Sequence, residues 1–397
     1  MSRAVLFEQR QADDGAHIGL ARLNAEKTLN ALSLDMIDLL SERLSAWAAD
    51  PQVVMVLLEA SGERAFCAGG DLQQLYKSML AHHASAQHED AAANEYALAM
   101  FSREYRLDYL IHTYPKPILC WGDGIVMGGG LGLMAGASHR VVTERSRVAM
   151  PEISIGLYPD VGGSWLLSRM PGEVGLFLAL TGAPMAASDA IFTGVADYQI
   201  PQSEKARVLD ALLRQPWQTG SREENDRALT DVLRSVSIAA EETRGPVQRH
   251  FDFINALCRR GSLVEIVTAI TDLIDVNGVR RDDAWLIRAT ATLAAGSPSS
   301  AALGHALQVR ARRMSLAEVF RMELVASMRC AARPDFAEGV RALIIDKDRN
   351  PHWQPAAHAE ITQEWIDGYF ESPWRADNHP LADLGASEAV DTRRNHR

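Results

Sequence analysis

Strand-like and helix-like stretches alternate over the first 200 residues, and this alternation constrains the fold more than any other feature. Residues 53–58 and 118–121 are short, continuous apolar runs, which are typical of strands buried on both faces. Before the first run, Ser33 precedes apolar residues at helical spacing, and between the two runs residues 94–112 predict a second helix. The alternation predicts an α/β core.

The pattern changes near residue 200. Beyond it strand signals nearly vanish, and amphipathic helical patterns dominate, as at residues 206–214 and 263–274. We therefore predict two parts: a core over residues 1–200 that carries the chemistry, and a mainly helical C-terminal region over residues 201–397.

Composition and charge exclude several classes of protein. The formal net charge is −11, which argues against nucleic-acid partners, because binding them requires clustered Lys and Arg. No run approaches the roughly 20 apolar residues of a membrane helix, and residues 1–10 lack the apolar stretch of a secretory signal. The four cysteines are widely scattered, without zinc or redox spacing. We expect a soluble, cytoplasmic protein with reduced thiols and no membrane partner.

Histidine and arginine clusters give no sign of a further site. His82, His83 and His88 lie in an Ala-rich polar stretch, and we expect a solvated surface there and no metal site. The cluster at residues 310–313 is expected to be a solvated helix face. A G-x-S-x-G nucleophile turn is absent from the sequence.

Two glycine-rich segments follow two of the predicted strands. Residues 65–71 read A-F-C-A-G-G-D, and residues 124–130 read G-I-V-M-G-G-G. Small residues let backbone N–H groups approach a ligand closely, so two such turns could each offer one N–H to a carbonyl oxygen, as in an oxyanion hole. Each segment alone is also explained by a tight, closely packed turn. The G-x-G-x-x-G spacing of a dinucleotide site is missing.

A third segment, residues 150–163, places Glu152 and Asp160 among apolar and glycine residues, as M-P-E-I-S-I-G-L-Y-P-D-V-G-G. Carboxyls in apolar surroundings tend to have raised pKa values and suit acid–base or nucleophilic chemistry. Each acid could equally cap a turn or a helix. The residues alone leave this choice open.

Together the three segments resemble the crotonase superfamily, also called the enoyl-CoA hydratase/isomerase superfamily. The resemblance implies a spiral of ββα units followed by a helical C-terminal region. It also implies that the N–H groups of Gly70 and Gly129 bind a thioester oxygen.

One branch is matched more closely. Hydratases carry a catalytic glutamate two residues after the triple glycine, where this chain has Gly132. Glu152 corresponds to their second glutamate, and Asp160 stands where they usually have glycine. This combination resembles the 3-hydroxyisobutyryl-CoA hydrolases, and the likeness covers nearly the whole chain. The stretch F-S-R-E-Y at residues 101–105 is similar to a substrate-binding helix of those hydrolases, which gives Glu104 a binding role.

The resemblance therefore implies an acyl-CoA thioester hydrolase of valine degradation, acting on a short hydroxyacyl-CoA. Its implied catalytic residues are Glu152, Asp160, Gly70 and Gly129, and its substrate contacts are Glu104, Gly129, Glu152 and Asp160. No metal and no cofactor is implied, because coenzyme A is part of the substrate, and a homo-oligomer is compatible with the family. Two alternatives stay open: an enoyl-CoA hydratase or isomerase, and a non-catalytic acyl-CoA-binding protein.

Overall fold

We describe the protein from a computed structural model, which covers residues 3–238, 244–274 and 283–386. The strands in these residues are β1 (Val5–Gln11), β2 (His17–Leu23), β3 (Val53–Ala60), β4 (Ala65–Cys67), β5 (Ile118–Gly122), β6 (Ile125–Met127), β7 (His139–Val142), β8 (Arg147–Ala149) and β9 (Tyr198–Gln199).

The helices that precede β9 are α1 (Leu34–Ala49), α2 (Leu72–His83), α3 (Glu95–His112), α4 (Gly129–Ala135), α5 (Gly163–Leu167), α6 (Val174–Thr181) and α7 (Ala187–Phe192). Those that follow it are α8 (Lys205–Leu213), α9 (Arg222–Val236), α10 (Pro246–Arg249), α11 (Phe251–Cys258), α12 (Leu263–Thr271), α13 (Ala284–Ala295), α14 (Pro298–Ala311), α15 (Leu316–Ala332), α16 (Pro334–Val340) and α17 (Gln363–Asp367).

The strands form two sheets. The larger has the order β1-β2-β3-β5-β7-β9, in which only the β1–β2 pair is antiparallel. The smaller is parallel, with the order β4-β6-β8. Successive strand pairs, β3 with β4 and β5 with β6, each add one strand to each sheet and then lead into a helix. This repetition is the expected spiral of ββα units, and the predicted α/β fold is confirmed.

Local sequence explains these elements. Seven consecutive residues of β3 are buried, so its continuous apolar run fits a strand covered on both faces. Ser33 caps α1 by accepting a hydrogen bond from the Met36 N–H at 3.2 Å, and Asn94 caps α3 in the same way. The strands predicted at 53–58 and 118–121 and the helices predicted at 94–112, 206–214 and 263–274 are confirmed, with ends shifted by up to three residues.

The helical region reaches back onto the strands. In the described residues after β9 the elements are helical, and their apolar side chains pack with the first part of the chain in two hydrophobic clusters, one that joins Phe320 to Leu58 and one that joins Leu212 to Leu57. Helix α15 packs against α3, and α16 packs against the single turn of 3₁₀ helix at Glu152–Ile155. The division at residue 200 stays a prediction.

The histidine prediction is wrong for His82. Its side chain is buried, and its Nε2 lies 3.2 Å from the Gln87 carbonyl oxygen and 3.0 Å from that of Asp90, so it closes the loop after α2. Only His88 is exposed as expected. Within the described residues, no group of three or more His, Cys, Asp or Glu side chains is arranged to hold a metal ion. In the same residues no helix is long and apolar enough to cross a membrane.

Candidate active site

A cavity of about 280 Å³ brings together all the site residues proposed from the sequence. Gly70, Glu104, Gly129, Glu152 and Asp160 all line it. The helical region contributes part of the apolar wall through Phe336, Leu343 and Ile344. The residues are therefore neighbours in space, while their roles stay predictions.

The turn after β4 is held by backbone hydrogen bonds from the segment before α1. The Leu32 N–H donates to the Gly69 carbonyl at 2.8 Å, and the Asp71 N–H donates to the Leu32 carbonyl at 3.0 Å. Gly70 lies between these two bonds, and its own N–H donates to no other group in the described part of the chain. The turn thus leaves one backbone donor at the cavity without a partner.

The second turn joins β6 to α4. Gly129 is the first residue of α4, so its N–H has no acceptor inside the helix. The residue before it, Gly128, has φ +51° and ψ −124°, a conformation that residues with side chains rarely adopt. Because β4 and β6 are paired in parallel, both turns leave the same edge of the small sheet.

Two buried carboxyls lie directly against this turn. A Cβ atom added at Gly128 would lie 2.9 Å from Oε1 of Glu152, and one added at Gly129 would lie 2.2 Å from Oε1 of Glu104. Any side chain at Gly129 would displace Glu104. The glycines thus let both acids approach the position of the backbone donors.

Glu152 is the first residue of the 3₁₀ turn and is 5% exposed. Its Oε2 atom is buried and has no hydrogen-bond partner. Burial raises the pKa of Glu152 well above its usual range, and the nearby Asp160 raises it further. A buried carboxyl oxygen without a partner is costly, and this one belongs to a side chain that lines the cavity.

Asp160 and Glu104 complete the acid group. Burial raises the pKa of Asp160 to about 6, against a hydrogen bond from the Tyr105 hydroxyl at 2.7 Å that lowers it. Burial and the charge of Asp160 raise the pKa of Glu104 well above its usual range. Environments of this kind separate the protonation states of neighbouring carboxyls, as acid–base catalysis requires.

The space around Gly132 is filled. A Cβ atom added there would lie 2.7 Å from Cβ of Val161 and 2.9 Å from Oδ2 of Asp108. Both neighbours are buried, and neither oxygen of the Asp108 carboxyl has a hydrogen-bond partner. The chain therefore lacks an acid at this position and has no room for one.

Four further residues beside Asp160 were not foreseen from the sequence: Tyr105, Tyr158, Glu323 and Ser327. Tyr105 is the last residue of the F-S-R-E-Y stretch at residues 101–105, so the family resemblance of that stretch was the signal that could have identified it. Ser327 meets the Tyr105 hydroxyl across a sequence separation of 222 residues, for which no local pattern exists.

Comparison with known proteins decides the family. The model of the family described as "Enoyl-CoA hydratase/isomerase" matches residues 18–370. The chain belongs to this family.

Among curated proteins, the chain is similar to mitochondrial 3-hydroxyisobutyryl-CoA hydrolases. It is 36% identical to the one from Xenopus tropicalis over 90% of this chain and 88% of the relative, and 32% identical to the human one over 90% and 87%. Among solved structures, it is similar to a carnitinyl-CoA dehydratase from Mycobacterium thermoresistibile and to an enoyl-CoA hydratase from Rhodobacter sphaeroides. Each has a TM-score of 0.77 and 33% identity, over 93% of this chain and 97% of the other.

The prediction of a cytoplasmic protein is wrong. The hydrolase relatives that match most of the chain are named as mitochondrial proteins, which contradicts the prediction. The error has a physical cause: the prediction considered only apolar secretory signals, whereas mitochondrial leaders are amphipathic and basic and need no apolar stretch.

Proposed function

We propose that the protein hydrolyses 3-hydroxyisobutyryl-CoA to 3-hydroxyisobutyrate and coenzyme A. The observation that carries the proposal is the cavity in which the buried acids Glu152 and Asp160 lie beside the turns of Gly70 and Gly129. The names of the relatives that match most of the chain supply the substrate. Coenzyme A enters with the substrate, and we expect no separate cofactor.

The N–H groups of Gly70 and Gly129 would hold the thioester oxygen. As the carbonyl carbon is attacked, this oxygen gains negative charge, and preorganised donors stabilise it more in the transition state than in the bound substrate. One such donor contributes on the order of 3 kcal/mol. The two turns would thus supply a large part of the rate enhancement.

Glu152 would either attack the thioester carbon itself or activate a water molecule that attacks it. As a nucleophile, its carboxylate oxygen bonds to the acyl carbon, the C–S bond breaks, and water then hydrolyses the mixed anhydride. As a general base, it takes a proton from a water molecule whose oxygen bonds to the acyl carbon. The unpartnered Oε2 at the cavity supports either step.

Asp160 would orient the substrate hydroxyl or the water, and would donate a proton from its carboxyl to the departing thiolate. With a pKa raised to about 6, its carboxyl can both take up and release a proton near neutral pH. Glu104, against the Gly129 turn, would bind the substrate.

A second candidate, hydration of an enoyl-CoA, is favoured by the names of the two similar solved structures. The filled space around Gly132 argues against it, because a second acid does not fit there. Two assays on one panel of esters separate the candidates: release of free thiol from 3-hydroxyisobutyryl-CoA, and loss of the enoyl absorbance of short enoyl-CoA esters. Hydration without thiol release would overturn our proposal.

The variant Glu152→Gln tests the mechanism, because it keeps the shape of the side chain and removes its charge. We expect turnover to be abolished and binding of the CoA ester, measured by calorimetry, to persist. The matched control is Glu42→Gln, at an exposed glutamate of α1, which should hydrolyse the ester normally. Near-normal hydrolysis by Glu152→Gln would refute the mechanism. Absence of turnover by the wild type on every ester would favour the non-catalytic acyl-CoA-binding alternative.

The two roles of Glu152 are separable by running single turnovers in oxygen-18 water. Label in the Glu152 carboxyl, detected by mass spectrometry of the peptide, identifies the mixed anhydride. Label in the acyl product alone is also expected when water attacks the acyl carbon of the anhydride, so it identifies the general base only if added hydroxylamine traps no acyl hydroxamate beyond its uncatalysed reaction with the thioester.

A further inference from the structure

A chain of buried hydroxyl groups leads away from Asp160. The Tyr105 hydroxyl lies 2.7 Å from Asp160 Oδ2 and 2.7 Å from Ser327 Oγ. Ser327 Oγ lies 2.8 Å from the Tyr158 hydroxyl, which lies 2.7 Å from the carbonyl oxygen of Glu323. Tyr105, Tyr158 and Ser327 are all fully buried. The chain begins at an acid that can lose its proton and ends at a carbonyl that can only accept a hydrogen bond.

When Asp160 is ionised, the direction of the chain is determined at both ends. The carboxylate only accepts, so the Tyr105 hydroxyl donates to it. The single hydrogen of Tyr105 is then used, and Ser327 donates to the Tyr105 oxygen. At the far end, Tyr158 donates to the Glu323 carbonyl, so in this state no hydrogen lies between the oxygens of Ser327 and Tyr158.

When Asp160 is protonated, the same oxygen atoms allow the opposite direction. Asp160 donates to Tyr105, Tyr105 donates to Ser327, and Ser327 donates to Tyr158, which still donates to the Glu323 carbonyl. Only hydroxyl hydrogens rotate, and no heavy atom has to move. The carboxyl therefore keeps a hydrogen bond to Tyr105 in both of its protonation states.

We propose that Tyr105 and Ser327 are positioning residues for Asp160, which hold its carboxyl in one place by reversing their hydrogen bonds when it takes up or releases a proton. The proposal rests on the proposed function, in which Asp160 orients the substrate hydroxyl or the water and donates a proton from its own carboxyl to the departing thiolate. The proton passes only between Asp160 and the reactants, so the hydroxyl chain carries none.

The loop that carries Asp160 is held by a separate contact, so the hydroxyl chain is not needed to place its backbone. Glu323 accepts hydrogen bonds from the N–H groups of Gly162 at 2.8 Å and Ser164 at 3.0 Å. Glu323 and Ser327 lie one turn apart on α15. Removal of one hydroxyl should therefore change the hydrogen bonding of Asp160 and leave the loop in place.

The other groups that act on the charge of Asp160 are acidic or neutral. They are Glu104 and Asp108 on α3, Glu152 and Tyr158 on the segment that carries Asp160, and Glu323 and Cys330 on α15. Each acid disfavours a second negative charge. Two hydrogen bonds favour the ionised form, a stronger one from Tyr105 and a weaker one from the backbone N–H of Asp160 itself, so loss of the Tyr105 bond should raise the pKa of Asp160 clearly.

Two substitutions should move the pKa of Asp160 in opposite directions. Tyr105→Phe removes the donor to the carboxylate, and a bond to a charged group is worth about twice one to a neutral group, so the pKa should rise. In Ser327→Ala, Tyr105 still donates to the ionised carboxylate. When Asp160 is protonated and donates to Tyr105, however, the Tyr105 hydrogen has lost its acceptor on Ser327, so the pKa of Asp160 should fall. If Tyr105 and Ser327 only filled space, their substitution would not shift the pKa of Asp160 in opposite directions.

The test is an infrared titration of protein carrying carbon-13 in its aspartate carboxyls. The Asp160 band is identified as the one missing from Asp160→Asn. We expect its midpoint to rise by about one pH unit in Tyr105→Phe and to fall in Ser327→Ala, since a bond to a charged group corresponds to roughly one unit or more. Tyr158→Phe shortens the same chain and should shift the midpoint as Ser327→Ala does, which provides a second variant if Ser327→Ala does not fold.

Tyr114→Phe is the matched control, because its buried hydroxyl donates to the Leu44 carbonyl at 2.7 Å and is not part of the chain. It should leave the midpoint unchanged. In hydrolysis of 3-hydroxyisobutyryl-CoA, Tyr105→Phe and Ser327→Ala should lower kcat about tenfold with KM nearly unchanged, as expected for positioning of an acid–base group.

Shifts in the same direction, or no shift, would overturn the proposal. The infrared readout uses no substrate, so the two hypotheses fail separately. Opposite shifts in a protein that hydrolyses no CoA ester would support the hydroxyl chain and refute the proposed function. Equal shifts of the Asp160 midpoint in an active hydrolase would refute the hydroxyl chain and leave the proposed function supported.

Discussion

The crowded space around Gly132 leads to a quantitative prediction about stability. Two opposing effects act in Gly132→Ala. Alanine is favoured over glycine inside a helix by about 0.5–1 kcal/mol. Against this, the new methyl group would meet Cβ of Val161 at 2.7 Å and Oδ2 of Asp108 at 2.9 Å, closer than unstrained atoms approach. Overpacking of a buried site typically costs about 1–3 kcal/mol.

The steric effect should therefore exceed the helix preference. We expect Gly132→Ala to lower the free energy of unfolding by about 0.5–2 kcal/mol. Gly304→Ala is the matched control: it is also buried inside a helix, but its new methyl group would meet Pro159 and Tyr158 at ordinary distances of 3.9 and 4.0 Å. That variant should gain stability, by up to about 1 kcal/mol.

Urea unfolding of the wild type and both variants measures the two differences. The reasoning depends on their opposite signs. A Gly132→Ala protein as stable as the wild type would show that Val161 and Asp108 move aside at little cost. An equal loss in Gly304→Ala would show that any methyl group in these helices is destabilising.

Three further predictions follow from the same structure. Gly132→Glu should show no enoyl-CoA hydration in the absorbance assay, because the new acid has no space; measurable hydration would contradict this. Burial raises the pKa of Glu323 to about 8, so its contribution to stability is present below its unfolded pKa and lost as the pH rises through about 8. The free energy of unfolding should therefore decline between about pH 5 and pH 9, and Glu323→Gln should flatten this decline by a few kcal/mol, measured by urea unfolding; an unchanged slope would contradict the assignment. All four cysteines are buried, so the native protein should consume no thiol reagent until urea unfolds it, and rapid labelling would disprove their burial.

Much of the fold was predictable because it depends on local patterns. The continuous apolar runs of β3 and β5 and the capped helices α1 and α3 carry their own signals. The strands β4, β6 and β8 are three residues each, too short for any periodicity to be detected, so they were missed. Because those strands form the second sheet, the ββα spiral followed only from the family resemblance.

The site divides in the same way. The two glycine segments come after β3 and β5, which were predicted and lie side by side in parallel, so the proximity of Gly70 and Gly129 could be predicted from those two strands. Burial of Glu152 and Asp160 could be expected from their apolar neighbours. The positions of Glu323 and Ser327 of α15 near Asp160 could not be predicted, because contacts between residues this far apart leave no trace in a single sequence. His82 was misassigned since a polar, Ala-rich stretch does not reveal that its ring closes a loop.

The contact between Tyr158 and Ser327 also has a consequence during synthesis. These residues are 169 positions apart, so at about 5–20 residues per second Ser327 leaves the ribosome roughly 10–30 s after the acids that it will help to hold. During that interval Asp160 and its neighbouring acids lack the partners that α15 supplies, and water must solvate them. The strands of the ββα units can pair early, but the acid centre assembles only when α15 has been synthesised. Any pause in translation between the two segments therefore prolongs the time before the site of a nascent chain is complete.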